Sequence, residues 1–253
     1  MASHHTFIDD AAWDSPWRRR RVGEKAGLSV ALVLTALLTP PWPGCVLVAA
    51  LATFYILGPA KIRPGLLALV LVPPALFLLI GTIPVAVHIG GDGWGLGPFR
   101  VSRDGLLQAA GLWAHGVAGT VALLLLATTT PLVDLLTWLR TLRIPDVLLE
   151  IASLTYRLLF VLLGTALAVH DAQQARLGDA APLRRRFQAS AGTVGSIVIR
   201  SWQRASRLQE GLEGRGYEDA LLTLTPARPR DWRFVGASAL SVAAVWVVVW
   251  VMR

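Results

Sequence analysis

The 253 residues are 54% hydrophobic and 16% charged, against roughly 45–50% and 25% in an average soluble domain, and mean hydropathy over the whole length is +0.55. This composition excludes an ordinary soluble enzyme, a disordered chain and a disulfide-rich secreted module; Cys45, the single cysteine, leaves no intramolecular disulfide and no cysteine-based zinc site. Lys and Arg number 24 against 16 acids, a net +8, which in so apolar a chain reads as a topology signal rather than a nucleic-acid footprint.

Residues 1–25 are polar, contain Asp9, Asp10 and Asp14, and end in Arg18, Arg19, Arg20, Arg21 and Lys25. A signal peptide would place few charges before a short apolar run, so this segment is expected to be a retained cytoplasmic N-terminus. Apolar runs at 26–39 and 44–58 are separated by Pro40, Pro41, Pro43 and Gly44. Each falls short of the roughly 20 residues of a perpendicular span. As two tilted spans they return Lys61 and Arg63 to the side of the N-terminal arginines, in keeping with the positive-inside rule. A third span is predicted at 65–89 with Pro73, Pro74 and Pro84 inside it, then a Gly-rich loop at 90–103, then a fourth span at 104–130. Asp104 is its predicted N-cap, with Asp134 in a similar role at the next turn.

Residues 147–169 are also long and apolar enough to cross. Crossing there would carry 171–233 outward, a segment with 11 of the 24 basic residues and seven acids, against the charge rule. Glu150 and Arg157 would also enter the membrane, each costing about 2.5–3.5 kcal/mol at its centre. The segment 131–231 is therefore expected to stay cytoplasmic or interfacial. It reads as three amphipathic helices: one on Leu132, Leu135, Leu136, Leu139 and Leu142, one over about 146–177, and one over about 183–216 with Phe187, Val194, Ile197, Ile199 and Trp202 among Arg and Gln. The final span falls at 232–253. The expected fold is an all-α membrane protein: an N-terminal segment at 1–25, four spans in 26–130, a three-helix module at 131–231 and a fifth span.

Chemistry within the chain is sparsely signalled. No Gly-x-x-x-x-Gly-Lys-Ser/Thr phosphate loop is present, and the run from Gly90 to Gly97 lacks the spacing and context of a dinucleotide fingerprint. No His-Glu-x-x-His occurs. His4 and His5 read as a terminal pair, His88 and His115 as packed or pore-facing side chains near spans, and His170 joins no ligand set. The predicted spans hold few of the ionisable groups that proton-coupled transport or intramembrane hydrolysis needs.

The sharper pattern is a pair of Arg-bearing helix ends, Gln174-Ala175-Arg176-Leu177-Gly178 and Glu213-Gly214-Arg215-Gly216-Tyr217. In each an Arg precedes a Gly able to stop a helix in the left-handed conformation. The small neighbours allow close approach of another surface, and Arg can grip a carboxylate with two prongs. Two such ends in one basic block suit a scaffold docking onto two similar acidic grooves.

With Leu142-Arg143-Ile144-Pro145 and Tyr156-Arg157 ahead of both ends, the chain resembles the transmembrane (T) component of energy-coupling-factor transporters, a branch of the ATP-binding-cassette importers. That family carries two Ala-Arg-Gly-type motifs on coupling helices, matched here by Ala175, Arg176 and Gly178 and by Gly214, Arg215 and Gly216. Leu177 and Gly214 depart from the family pattern. Arg143, Pro145, Tyr156 and Arg157 match its coupling-helix turn and support. The stretch from Phe7-Ile8-Asp9 to Ser15-Pro16 resembles the cobalt and nickel branch. The resemblance implies a non-catalytic subunit of a bacterial or archaeal cell membrane importer. Its implied partners are two ATPase subunits, which bind ATP and Mg, a membrane subunit that captures Co2+ or Ni2+, and the lipid bilayer. No cofactor, metal or nucleic acid is assigned to this chain. The competing readings are a conventional ABC permease subunit, a lipid-active membrane enzyme and a basic membrane anchor.

Overall fold

The computed structural model describes residues 7–89, 99–175, 183–216 and 229–252. The chain divides into two compact units, one built on His4–Leu135 with Pro226–Arg253 and the other on Leu136–Thr225. Both are helical, as the sequence predicts.

The first unit opens with α1 (Phe7–Asp14) and a 3-10 turn at Pro16–Arg19. The polar N-terminal segment is thus built structure: Ala12, Ser15 and Trp17 are buried. Ser15 caps the turn by accepting from the Trp17 N–H, and its hydroxyl donates to the Ala60 carbonyl at 3.2 Å. Helix α2 (Val22–Leu38) follows, starting four residues ahead of the predicted apolar run. It stops before the proline cluster, where a π-type turn at Pro41–Cys45, broken at Trp42, leads into α3 (Val46–Leu57). Helix α4 (Pro64–Ala86) continues through Pro73, Pro74 and Pro84, prolines that transmembrane helices tolerate.

Three-residue strands β1 (Val87–Ile89) and β2 (Phe99–Val101) pair antiparallel, Val87 opposite Val101. They lead into α5 (Arg103–Thr129), which touches α1, α2, α3 and α4. The cap of α5 is Ser102, whose hydroxyl accepts from the Gly105 N–H at 3.0 Å. Asp104, the predicted cap, instead lies inside the first turn, where a negative charge favours the helix dipole. Asp134 likewise sits within the first turn of α6 (Leu132–Leu139). Helix α9 (Trp232–Val251) closes the unit.

Van der Waals packing and interhelical hydrogen bonds, rather than water exclusion, hold helices together in lipid. The core is accordingly small-residue rich: Ala36, Ala52, Ala118 and Ala122 pack with Leu32, Val48, Ile56 and Leu125. Ser29 Oγ donates across to the Ala122 carbonyl at 2.6 Å, a contact of a kind worth about 0.6 kcal/mol on average. A Cβ on Gly116 would lie 2.7 Å from Leu78 Cδ1, so this glycine sets the approach of α4 to α5. His115 is packed: Nδ1 lies 2.8 Å from the Gly111 carbonyl and Nε2 3.2 Å from that of Thr39.

The last helix is pinned by polar contacts. Tyr55 Oη and Ser241 Oγ are 2.9 Å apart, and Trp246 Nε1 donates to Thr35 Oγ1 at 3.3 Å. Asp231 caps α9 through the Phe234 N–H, gives its own N–H to Glu24 Oε1 at 2.9 Å, and pairs with Arg20 at 3.1 Å. Phe234 meets Trp17 edge to face at 5.0 Å, under the Arg20 guanidinium.

Four helical stretches among the described residues are long and apolar enough to cross a membrane: Pro64–Ala86, Arg103–Thr129, Asp146–Ala172 and Trp232–Val251. The chain is a multi-pass, all-α membrane protein.

Candidate coupling surface

The second unit begins where α6 tightens into a 3-10 turn at Arg140–Leu142. Arg143 then takes a left-handed conformation, φ 59°, and Ile144 is held out of helix by the ring of Pro145. Helix α7 (Asp146–Ala175) starts directly after the proline. Arg140 Nε reaches Asp146 Oδ1 at 3.5 Å across this reversal, and the aspartate also favours the positive end of α7. Arg143 and Pro145 therefore form one turn, both exposed.

Along α7, Leu149 and Glu150 are buried. Tyr156 is half-buried with its ring edge to face against Phe160, 4.9 Å away, while Arg157 is exposed. Near its described end the His170 and Gln174 Nε2 atoms are 3.1 Å apart, and Ala175, the last residue described there, is exposed. Arg176, Leu177 and Gly178 lie outside the described residues, as do His4, His5 and the glycine run from 90 to 97.

Helix α8 (Leu183–Glu213) packs against α7. Ile197, Ser201, Leu208 and Leu212 are half-buried, whereas Val194, Val198 and Trp202 are exposed, Trp202 at 77%. These three are spaced by four residues and share a face, with Arg200, Arg204 and Arg207 exposed on the same helix. The helix unwinds in an ordered way: the N–H groups of Gly214, Arg215 and Gly216 donate to the carbonyls of Glu210, Leu212 and Glu213 at 3.0–3.1 Å. Gly216 has φ +72°, a conformation open to glycine and strained for most other residues. Gly214 is also tight, since a Cβ there would sit 3.3 Å from the Glu210 carbonyl oxygen. Arg215 stands exposed between them. The turn thus presents one cation on a bare backbone, a form suited to insertion beside an acidic partner.

Among the described residues no group of three or more His, Cys, Asp or Glu side chains converges as a metal site. What the sequence reading missed is the polar clamp of the first unit, Arg20, Glu24 and Asp231. Its only sequence trace is an Asp opening the last apolar run.

The sequence matches the family described as cobalt transport protein, CbiQ, over residues 14–224. It is 40% identical to a cobalt transport protein CbiQ of Rhodobacter capsulatus over 219 residues, covering 86% of this chain and 87% of that protein. A cobalt transport protein CbiQ of Salmonella typhimurium is 25% identical, with 84% and 97% covered. A putative fused cobalt transport protein, CbiMQ, of Methanocorpusculum labreanum is 28% identical over 85% of this chain but 37% of its own length. The match spans both units, and the chain belongs to the CbiQ cobalt transport protein family.

Proposed function

We propose that this chain is the energy-coupling scaffold of an importer for cobalt or nickel ions. It takes motion from two ATPase subunits and passes it to a membrane subunit that captures the ion, and it is itself non-catalytic. The observation that carries the reading is the end of α8, where exposed Arg215 sits between two glycines, one of them left-handed. Family membership and the fused relative support a membrane partner in cobalt transport. ATP and Mg belong to the ATPases.

In this reading Arg215, and Arg176 after α7, each enter an acidic groove on one ATPase. The segment 131–231, α7 included, lies on the cytoplasmic side with the N-terminus, because 171–233 carries 11 basic residues against seven acids. When the ATPases close on ATP, the grooves move and α7 and α8 tilt the capturing subunit. Such coupling requires contacts that differ between the two states, not docking strength alone. Breaking a buried Arg–carboxylate pair costs about 2–5 kcal/mol, largely by stranding the carboxylate.

The test is co-expression with a candidate ATPase, with stoichiometry and ATP turnover measured for wild type, Arg176→Glu and Arg215→Glu. Two ATPases per chain, with docking or turnover lost in either variant, are expected. Normal assembly and turnover in both variants would refute Arg docking. One ATPase per chain would favour a conventional permease.

A further inference from the structure

Between α1 and the turn joining α3 to α4, the first unit carries a cleft of about 340 Å³. Asp10 and Asp14 line it from α1; Lys61, Arg63 and Leu66 line it from the turn and the start of α4. The two acids are four residues apart and so share a face of α1. The opposite wall is fixed from beneath. Ala60 and Ile62 are buried, their N–H groups donate to the Tyr55 and Ile56 carbonyls at 3.1 and 3.0 Å, and buried Ser15 holds the Ala60 carbonyl. Lys61 takes a left-handed φ of 53° within this turn. Among the described residues Asp14, Lys61 and Arg63 make no ion pair with one another. Opposite charges thus line one preformed cleft without closing it.

The depth of the cleft narrows its occupant. Arg63 is the last residue before α4, 23 residues without an ionisable side chain, so the cleft lies at the boundary between water and hydrocarbon. Trp13 of α1, 43% exposed beneath the Arg18 guanidinium at 3.8 Å, is of the type that settles at that boundary. Leu69 and Leu76, both exposed, continue down α4 from Leu66 on the same side. A simple anion meets repulsion from the acids, and a simple cation from the bases. A zwitterion with a phosphate and a primary ammonium satisfies both walls, because the ammonium offers three N–H donors to carboxylates, which a quaternary amine cannot.

The geometry points to a binding site for an aminophospholipid of the phosphatidylethanolamine type, its phosphate against Lys61 and Arg63, its ammonium against Asp10 and Asp14, and an acyl chain along α4. The site depends neither on the ATPases nor on the α8 turn.

The experiment is native mass spectrometry of the purified full chain, with dioleoyl phosphatidylethanolamine, phosphatidylcholine or phosphatidylglycerol added in detergent. Retention of the ethanolamine lipid about tenfold over the other two is expected, the effect of one or two charge-assisted hydrogen bonds. Asp10→Asn with Asp14→Asn removes the preference over phosphatidylglycerol, and Lys61→Gln with Arg63→Gln weakens retention of all three lipids, which share the phosphate. All four side chains are exposed, and equal unfolding midpoints of the lipid-free variants confirm intact folds. Equal retention of the three lipids, or retention indifferent to both double variants, would overturn the site. Displacement of the lipid by millimolar inorganic phosphate or phosphoethanolamine would reassign it to a soluble phosphate compound.

Discussion

The Lys25 ammonium donates to the Thr129 carbonyl oxygen at 2.8 Å, with the Lys25 side chain 1% exposed. Thr129 ends α5, whose last carbonyls have no intrahelical donor and whose dipole leaves that end partly negative. A buried cation from the first turn of α2 therefore caps a helix whose end lies 104 residues later in the chain. Thr128 and Thr129 add to the cap by donating their hydroxyls to the Leu124 and Leu125 carbonyls.

Lys25→Met keeps the stem and removes this donor. The expected loss is about 1–3 kcal/mol, the cost of a buried polar group left without its partner. Thermal unfolding in detergent measures it, and an unchanged midpoint would show that the contact contributes nothing.

Asp231 separates two roles. Its ion pair with Arg20 is partly exposed, 34% and 42% for the two side chains, so it is worth about 0–1 kcal/mol. Its cap on α9 is worth about 0.5–2 kcal/mol. Asp231→Asn, which retains a capping oxygen, is expected to lower the midpoint less than Asp231→Ala. Equal losses would assign the whole effect to the charge.

Gly116→Leu drives a side chain into Leu78 and should cost about 1–3 kcal/mol, the range for overpacking. Leu78→Ala in the same chain opens the space and should recover part of the loss. A double variant no more stable than Gly116→Leu alone would remove Leu78 as the cause.

Gly216→Ala tests the turn after α8 by backbone alone, because no atom lies within 4 Å of the position a Cβ would take. Left-handed backbone costs a non-glycine residue about 1–2 kcal/mol. Under the coupling proposal this variant weakens ATPase recruitment, and Gly216→Asn, better tolerated in that conformation, weakens it less. Wild-type recruitment by Gly216→Ala would mean the turn conformation is not read by the partner.

The apolar runs of α4, α5 and α9 were legible because nineteen or more residues without a charge leave few alternatives. The restart at Pro145 and the stop near Gly216 were legible because proline and glycine act locally. Helix α1 was not: eight residues beginning Phe-Ile-Asp-Asp carry no long period, and the segment is anchored by buried Ala12 and by Ser15 reaching Ala60. The cap of α5 was misassigned because Asp104 and Ser102 both suit a helix start, and only the backbone decides which oxygen meets the Gly105 N–H. The strands β1 and β2 are three residues each, too short for alternation to register. Arg20 and Asp231 lie 211 positions apart, and no local pattern joins them.

The clamp around Asp231 has a consequence for biosynthesis. A ribosome that has just finished α8 has already made Glu24, Thr35, Tyr55 and Trp17, every one a partner of the helix it has yet to make. Until α9 emerges, that seam stands open, with the Glu24 carboxylate and the Tyr55 hydroxyl lacking those contacts. Completion of the first unit is therefore tied to the translation of α9. A chain stalled before Trp232 offers membrane quality control a polar seam by which to recognise it.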